Sequence, residues 1–303
     1  MNPWTPLVAA TIGWGSSSVI TRFVILRGVD TWTLVPIRMS VALVTLFIVM
    51  ATTRRFRTTN PKAWRRGIVL GTLAMSFPMI LMTLALEDLP VSLAGFLIAL
   101  IPLSTIAAAH FLVDGERFRI RVLPGLLIAL VGCGLLVGVG GGNIEGVGNL
   151  WRGVSLISGG VVLAGIGGAL TRRFAMEVSS DQLVLPQFVV NTIVVVGVAP
   201  LLFPFDLATV DSLSWVWLIV LGAVGTTLPF AAFLVGAAMN PASRLALTGY
   251  SVPVVAVALA VIFLGERLTA AIVGGAVLIV VGVIMSERAS DYVPEEPGIL
   301  VPE

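Results

Sequence analysis

Apolar runs of about twenty residues, each ended by a short polar or charged interruption, recur along the whole chain. They fall at roughly 5–21, 33–53, 67–86, 90–112, 120–139, 152–171, 182–203, 213–235, 242–264 and 270–286, each near the ~20 residues that a helix needs to cross a bilayer. The runs do not alternate apolar with polar residues, as the strands of a membrane barrel would. The pattern predicts an all-α integral membrane protein with ten transmembrane helices. The interruptions leave no room for a soluble domain. After Ser286 the chain reads "ERASDYVPEEPGILVPE", polar and proline-rich, which predicts a disordered tail over 287–303.

Composition agrees with a membrane protein. Of the 303 residues 57% are hydrophobic and 11% charged, with a mean hydropathy of +1.05, whereas a soluble domain carries roughly 25% charged residues. A lone cysteine, Cys133, excludes an intrachain disulfide. The N-terminal "MNPWTPLVAATIGWG" has no basic region ahead of its apolar run, so it reads as a first spanning helix and not as a cleaved leader. No basic stripe interleaved with aromatics is present, which argues against nucleic acid as a partner. The net charge of +2 says little by itself, but its placement orients the chain. With the N-terminus in the cytoplasm, the inner loops hold Arg54, Arg55, Arg57, Lys62, Arg65, Arg66, Arg117, Arg119, Arg121, Arg172, Arg173 and Arg244, and the inner tail Arg288. The outer loops hold only Arg22, Arg27, Arg152 and Arg267. The positive-inside rule therefore places both termini in the cytoplasm.

The chain also repeats itself. "VLGTLAMSFPMILMTLALEDLPVSLAGFLIALIPL" lies over "VLGAVGTTLPFAAFLVGAAMNPASRLALTGYSVPV" at an offset of 151, so that Val69, Leu70, Gly71, Pro78, Pro90, Ser92 and Pro102 fall on Val220, Leu221, Gly222, Pro229, Pro241, Ser243 and Pro253. At an offset of 150, Gly115, Glu116, Arg117, Gly125, Val131 and Gly132 fall on Gly265, Glu266, Arg267, Gly275, Val281 and Gly282. Matches among leucines and valines are cheap, but three prolines and a Gly-Glu-Arg triplet in register are not. Five spans per half is an odd number, so the second half enters the membrane from the opposite side. Such inverted repeats recur in secondary transporters, with the substrate site between the halves.

Five-plus-five helices, the Trp14-Gly15 pair, the prolines of the third and fourth span of each half, and the twice-occurring triplet together resemble the EamA-type transporters of the drug/metabolite transporter superfamily. The likeness covers nearly the whole chain and is strongest over 67–136 and 218–286. It implies two inverted five-helix repeats around a central cavity, at 1–139 and 152–286, joined by an outer linker at 140–151. It further implies a multi-pass protein of the bacterial inner membrane that exports or exchanges small metabolites, with bacterial amino-acid exporters as the nearest type. A monomer or weak homodimer with no cofactor is expected. A proton-coupled exporter of another metabolite or drug is the alternative, ahead of a scaffold or a membrane enzyme. The departure from the family pattern is in the first two helices of the second half, where Trp14 aligns with Gly165.

Several residues are candidates to line that cavity. Pro78, Pro102, Pro229 and Pro253 each remove a backbone donor and free the carbonyl four residues earlier, at Ala74, Ile98, Gly225 and Gly249. The result is either a fixed kink or a hinge whose free acceptors could meet a substrate ammonium. "GWGSSS" (13–18) puts Trp14 too deep for an interfacial belt and Ser17 where it can bond across helices. Arg38 lies inside the second span, about 9 Å from its outer end at 1.5 Å per residue. Snorkelling to the headgroups is its simpler reading, and a carboxylate anchor the sharper one. Met75, Met79 and Met82 follow helical spacing, with Phe230 and Phe233 as mates of the last two, and suit either core packing or a pliable apolar surface. Gln187 and Asn191, one turn apart, could bond a substrate or each other. Tyr250 needs a partner for its hydroxyl within the ninth span.

The two Gly-Glu-Arg triplets read as structural hairpins, with glycine ending one helix and glutamate favouring the N-terminus of the next. Enzyme chemistry finds no support. A single histidine, His110, excludes a two-histidine metal motif, and neither a nucleophile elbow nor a phosphate loop of Walker type is present. No metal site is expected. The acidic residues Glu87, Asp88, Asp114, Glu116, Asp206, Asp211 and Glu266 fall at span ends or in loops, which favours facilitated diffusion or exchange over proton coupling.

Overall fold

A computed structural model describes residues 2–53, 60–113, 120–135, 148–198, 201, 203, 205–237, 239 and 242–289. The described residues are almost entirely helical. In chain order the helices are α1 (Trp4–Leu26), α2 (Thr31–Thr53), α3 (Pro61–Val69), α4 (Phe77–Asp88), α5 (Val91–Ile98), α6 (Ile101–Leu112) and α7 (Leu123–Leu135), then α8 (Leu150–Ala175), α9 (Ser180–Thr192), α10 (Ser212–Gly222), α11 (Leu228–Ala237), α12 (Ala242–Leu264) and α13 (Ala270–Ala289). Three π-helical segments interrupt them, at Leu70–Ser76, Ile193–Val198 and Ala223–Thr227. By length and composition, six helical stretches among the described residues can cross a bilayer, and four shorter apolar helices accompany them. This is a multi-pass membrane protein.

Local chemistry starts the helices where the sequence changes character. The side chains of Asn60 and Asn149 accept the amides of Ala63 and Arg152 at 2.7 and 3.1 Å, and so cap α3 and α8. Asp211 caps α10 through the Ser214 amide at 2.9 Å, and Asp30 accepts the amides of Trp32 and Thr33 at the head of α2. Gly28, at φ +93°, makes the left-handed turn between α1 and α2.

Helix ends run beyond the apolar runs. Lys62, Arg65 and Arg66, expected in a loop, ride on α3, and Arg172 and Arg173 ride on the last turn of α8. Arg22, also expected in a loop, is buried on α1. The expected boundary at Ser286 moves outward, since α13 continues to Ala289. Backbone hydrogen bonding carries a helix past the point where hydropathy falls, because only its apolar stretch needs lipid. Residues 290–303 of the expected tail, 140–147 of the expected linker and 136–139 at the end of the expected first repeat lie outside the described residues.

The prolines act unequally. The sequence predicts a fixed kink or a hinge at each of the four. Ahead of Pro78 in α4 and Pro229 in α11 a π-helical segment intervenes instead. A wider turn relieves the clash of a proline ring with an earlier carbonyl. A hydroxyl in each segment takes up a carbonyl five residues back: Ser76 Oγ donates to Gly71 O and Thr226 Oγ1 to Leu221 O, both at 2.8 Å. Between α5 and α6 the helix breaks at Ala99–Leu100, just before Pro102, whereas α12 runs unbroken through its mate Pro253.

The two halves trade partners. Helix α1 packs on α11 and α12 of the second half, and α8 packs on α4, α5 and α6 of the first. Helices α7 and α13 pack antiparallel along glycines. A Cβ on Gly125 would strike Gly282 O, a Cβ on Gly282 would strike Gly125 O, and Gly132 meets Gly275 O in the same way. Small residues permit such backbone approach where hydrophobic burial cannot drive association. The apolar core is continuous across the halves: one cluster joins Val19, Leu93, Phe96 and Ile157 to Ala256, Ile272 and Ile279.

Candidate functional site

Gly13 and Gly15 explain how α1 reaches the second half. A Cβ on Gly13 would collide with the Pro229 ring, and one on Gly15 would fall 2.6 Å from Val255 Cγ1 and 3.2 Å from Val252 O, on either side of Pro253. Trp14, between these glycines, meets Phe233 of α11 with ring centroids 5.4 Å apart and planes tilted by 50°. One turn on, Ser17 is buried. Trp14, Ser17, Pro229 and Phe233 thus come together at one contact between α1 and α11.

Arg38 joins them from α2. Its Nε donates to Thr226 Oγ1 and one Nη2 N–H to Ser17 Oγ, each at 2.9 Å. The guanidinium does not snorkel outward, because two hydroxyls on neighbouring helices hold it inside the bundle. Thr226 was not among the expected residues. The Thr226-Thr227 pair, two polar residues in an apolar run just ahead of Pro229, was the available signal. Thr226 spends its only proton on Leu221 O and therefore faces Arg38 purely as an acceptor. Thr227 Oγ1 donates to Ala42 O at 2.7 Å and so ties the π segment to α2.

The other expected residues lie apart from this group. Met82 packs into Gly160 of α8, whereas Met79 packs with the cluster built on α2 and α9, so the methionines do not form one stripe. Pro78 is buried, with its carbonyl towards Gly160. Pro102 is half-buried at the start of α6. Asn191 pairs with Ser76 and not Gln187: its buried side-chain amide lies 2.8 Å from Ser76 Oγ, whose one proton goes to Gly71 O. The Gln187 carbonyl instead abuts Gly71. Pro253 is buried within α12, while the side chains of Tyr250 and Arg244 lie outside the described residues.

The triplets also depart from expectation. Residues 114–119 lie outside the described residues. Gly265 takes φ +68° at the end of α12, as a glycine there should. Glu266, however, does not cap the helix that follows it. Its carboxylate accepts the amides of Val91 and Ser92 at 2.6 and 2.9 Å and so caps α5, in the other half. Thr269 caps α13 through the Ile272 amide at 3.3 Å. The exposed Arg267 follows in the same turn.

A polar belt surrounds this cap. Arg22 donates to the carbonyls of Leu86 and, at 2.9 Å, Glu87, which end α4. Arg152 bridges Asp88 at 2.7 Å and Glu87 at 3.2 Å, and Thr31 donates to Glu87 at 2.7 Å. Arg27 pairs with Asp211. At the opposite end of the bundle Glu177 takes Arg66 at 2.7 Å and Lys62 at 3.2 Å, and these two hold its carboxyl below the usual carboxylate range. Apart from the Arg22 and Thr31 bonds, these links join residues of the first half to residues of the second. Among the described residues, no cluster of His, Cys, Asp and Glu could hold a metal.

Comparison with known proteins adds to this geometry. The model of the EamA-like transporter family matches twice, over residues 6–138 and again over 151–287. No curated protein matches the chain. Twenty solved chains match it. One of them, described only as "Crystal structure of protein", superposes with a TM-score of 0.62 over 93% of this chain and 96% of its own, at 19% identity. At that identity the likeness shows the fold alone.

Proposed function

We propose, because this chain belongs to the EamA-like transporter family, that it exports small metabolites, amino acids first among them, across the bacterial inner membrane by alternating access. The observation that carries this reading is the exchange of partners between the halves. Helix α1 lies against the proline-bearing spans of the second half and α8 against those of the first. The pairs Gly125–Gly282 and Gly132–Gly275 interchange under the 150-residue offset. Two five-helix repeats of opposite orientation, ten spans in all, would produce this reciprocity. The site would then sit between them, where Trp14, Ser17, Arg38, Pro229 and Phe233 meet. The arginine bias of the loops supports cytoplasmic termini. Among the described residues the carboxylates stand at helix ends or in turns, which supports facilitated diffusion or exchange over a proton relay.

Purified protein in liposomes tests the function. Counterflow of radiolabelled amino acids is the expected result, and failure to move any metabolite in a broad panel would overturn the reading. Topology is tested separately with Arg117→Cys and Arg267→Cys in a Cys133→Ser background. These two should label from opposite faces of the membrane, and labelling from the same face would remove the inverted arrangement.

A further inference from the structure

We infer that the substrate of this site carries a free carboxylate, bound by Arg38 and Ser17, on an apolar body that lies along Trp14, and that it needs no ammonium group. The inference rests on the transporter reading and names the chemical class the site selects.

The guanidinium has five N–H groups. Thr226 and Ser17 take up the edge formed by Nε and Nη2. The other edge, made of Nη1 and the second Nη2 proton, has no partner among the described residues, and no carboxylate there forms an ion pair with Arg38. That free edge has the two-donor geometry that receives a carboxylate in parallel hydrogen bonds. A cation held away from bulk water without a counter-ion is costly, so an anion that docks there gains what the protein itself does not supply.

The neighbours add to the preference. Ser17 accepts from Arg38, and its own proton goes to no described acceptor, so it can donate to the same carboxylate. Thr226 is fixed by its bond to Leu221 O and holds the guanidinium in place without competing for the ligand. Trp14 precedes Ser17 by three residues and so lies on the same side of α1, where with Phe233 it offers apolar surface beside the anion site. For an ammonium group the site has little. The nearby carbonyl of Leu221, at the end of α10, already accepts from Thr226, and no described carboxylate faces the group. A zwitterion would bind through its carboxylate alone, and a simple carboxylic acid should bind at least as well.

Three probes of similar shape separate the charges: 3-phenylpropionate, L-phenylalanine and L-phenylalaninamide. Binding to the purified full-length protein in detergent is followed by titration calorimetry. The two carboxylates should bind and the cationic amide should not, a comparison that needs no variant to fold. Arg38→Gln should weaken the carboxylates by roughly 10- to 100-fold, the range expected for loss of a charge-assisted hydrogen bond. Arg38→Lys should lie between. The inference is overturned if the amide binds as well as the acids, if none of the three binds, or if Arg38→Gln leaves acid binding unchanged. Liposome transport of a neutral or cationic solute that survives Arg38→Gln would remove the carboxylate site and keep the transporter. Carboxylate binding without movement of any solute would keep the site and remove the transporter.

Discussion

Glu266 caps a helix that begins 175 residues before it: its carboxylate accepts the Val91 amide at 2.6 Å, and the Ser92 amide as well. An N-terminal turn carries unpaired amides and partial positive charge, so an anionic acceptor there is well placed. The bond joins the two halves at one end of the bundle.

Loss of that cap should be measurable. Glu266→Ala should cost about 0.5–2 kcal/mol, the usual range for removing a capping side chain. The expected outcome is a lower melting temperature in detergent, with Glu266→Gln intermediate. A melting temperature equal to wild type for the alanine variant would show that the cap contributes nothing.

The α7–α13 contact makes a sharper claim. Gly125→Val and Gly282→Val each push a side chain into the opposing backbone, which can yield only by separating the helices. Overpacking of this kind costs about 1–3 kcal/mol and sometimes more. Both should reduce the yield of monodisperse protein in size-exclusion chromatography. Gly134→Val, on the same helix with nothing within 4 Å of its Cβ, is the control and should behave as wild type.

Acid should affect one surface pair in a defined window. Arg27, and then Ser214, hold the Asp211 carboxyl well below the usual carboxylate range, and Asp211 in turn raises Arg27. A carboxylate with a lowered folded pKa adds stability above its unfolded pKa, near 4, and loses it as pH falls through the folded value. The melting-temperature difference between wild type and Asp211→Asn should therefore be small, flat from pH 7 to about 5, and vanish only below about pH 4. A difference that changes between pH 7 and 5 would assign the effect to another group.

The π segments predict a functional split between Pro78 and Pro229 on one side and the fold on the other. With alanine at both positions the missing donors return, and each segment can relax towards an α-helix. Transport by the double variant should fall more than its membrane expression. Equal uptake by wild type and variant would show that the wide turns do not take part in the cycle.

Much of this was legible in the linear chain. The apolar runs set the membrane class, because a bilayer demands about twenty apolar residues from each crossing helix. The paired prolines and the Gly-Glu-Arg triplets marked the repeat, and Trp14, Ser17, Arg38, Pro229 and Phe233 were already candidates. Local chemistry needs only neighbours in sequence, so the caps at Asn60, Asn149 and Asp211 and the left-handed Gly265 follow from the residues themselves.

Contacts between distant segments were decided only in three dimensions. The position of Arg38 suggested a side chain reaching for headgroups, yet Ser17 and Thr226, which lie on other helices, turn it inward. Glu266 looked like a cap for its own hairpin, but the amides nearest its carboxylate belong to α5. Pro102 and Pro253 align in sequence, but one lies at a break and the other within a continuous helix. A hydrogen bond or a helix bend is settled by which groups lie within about 3 Å, and periodicity along one chain does not reveal which helix will be there.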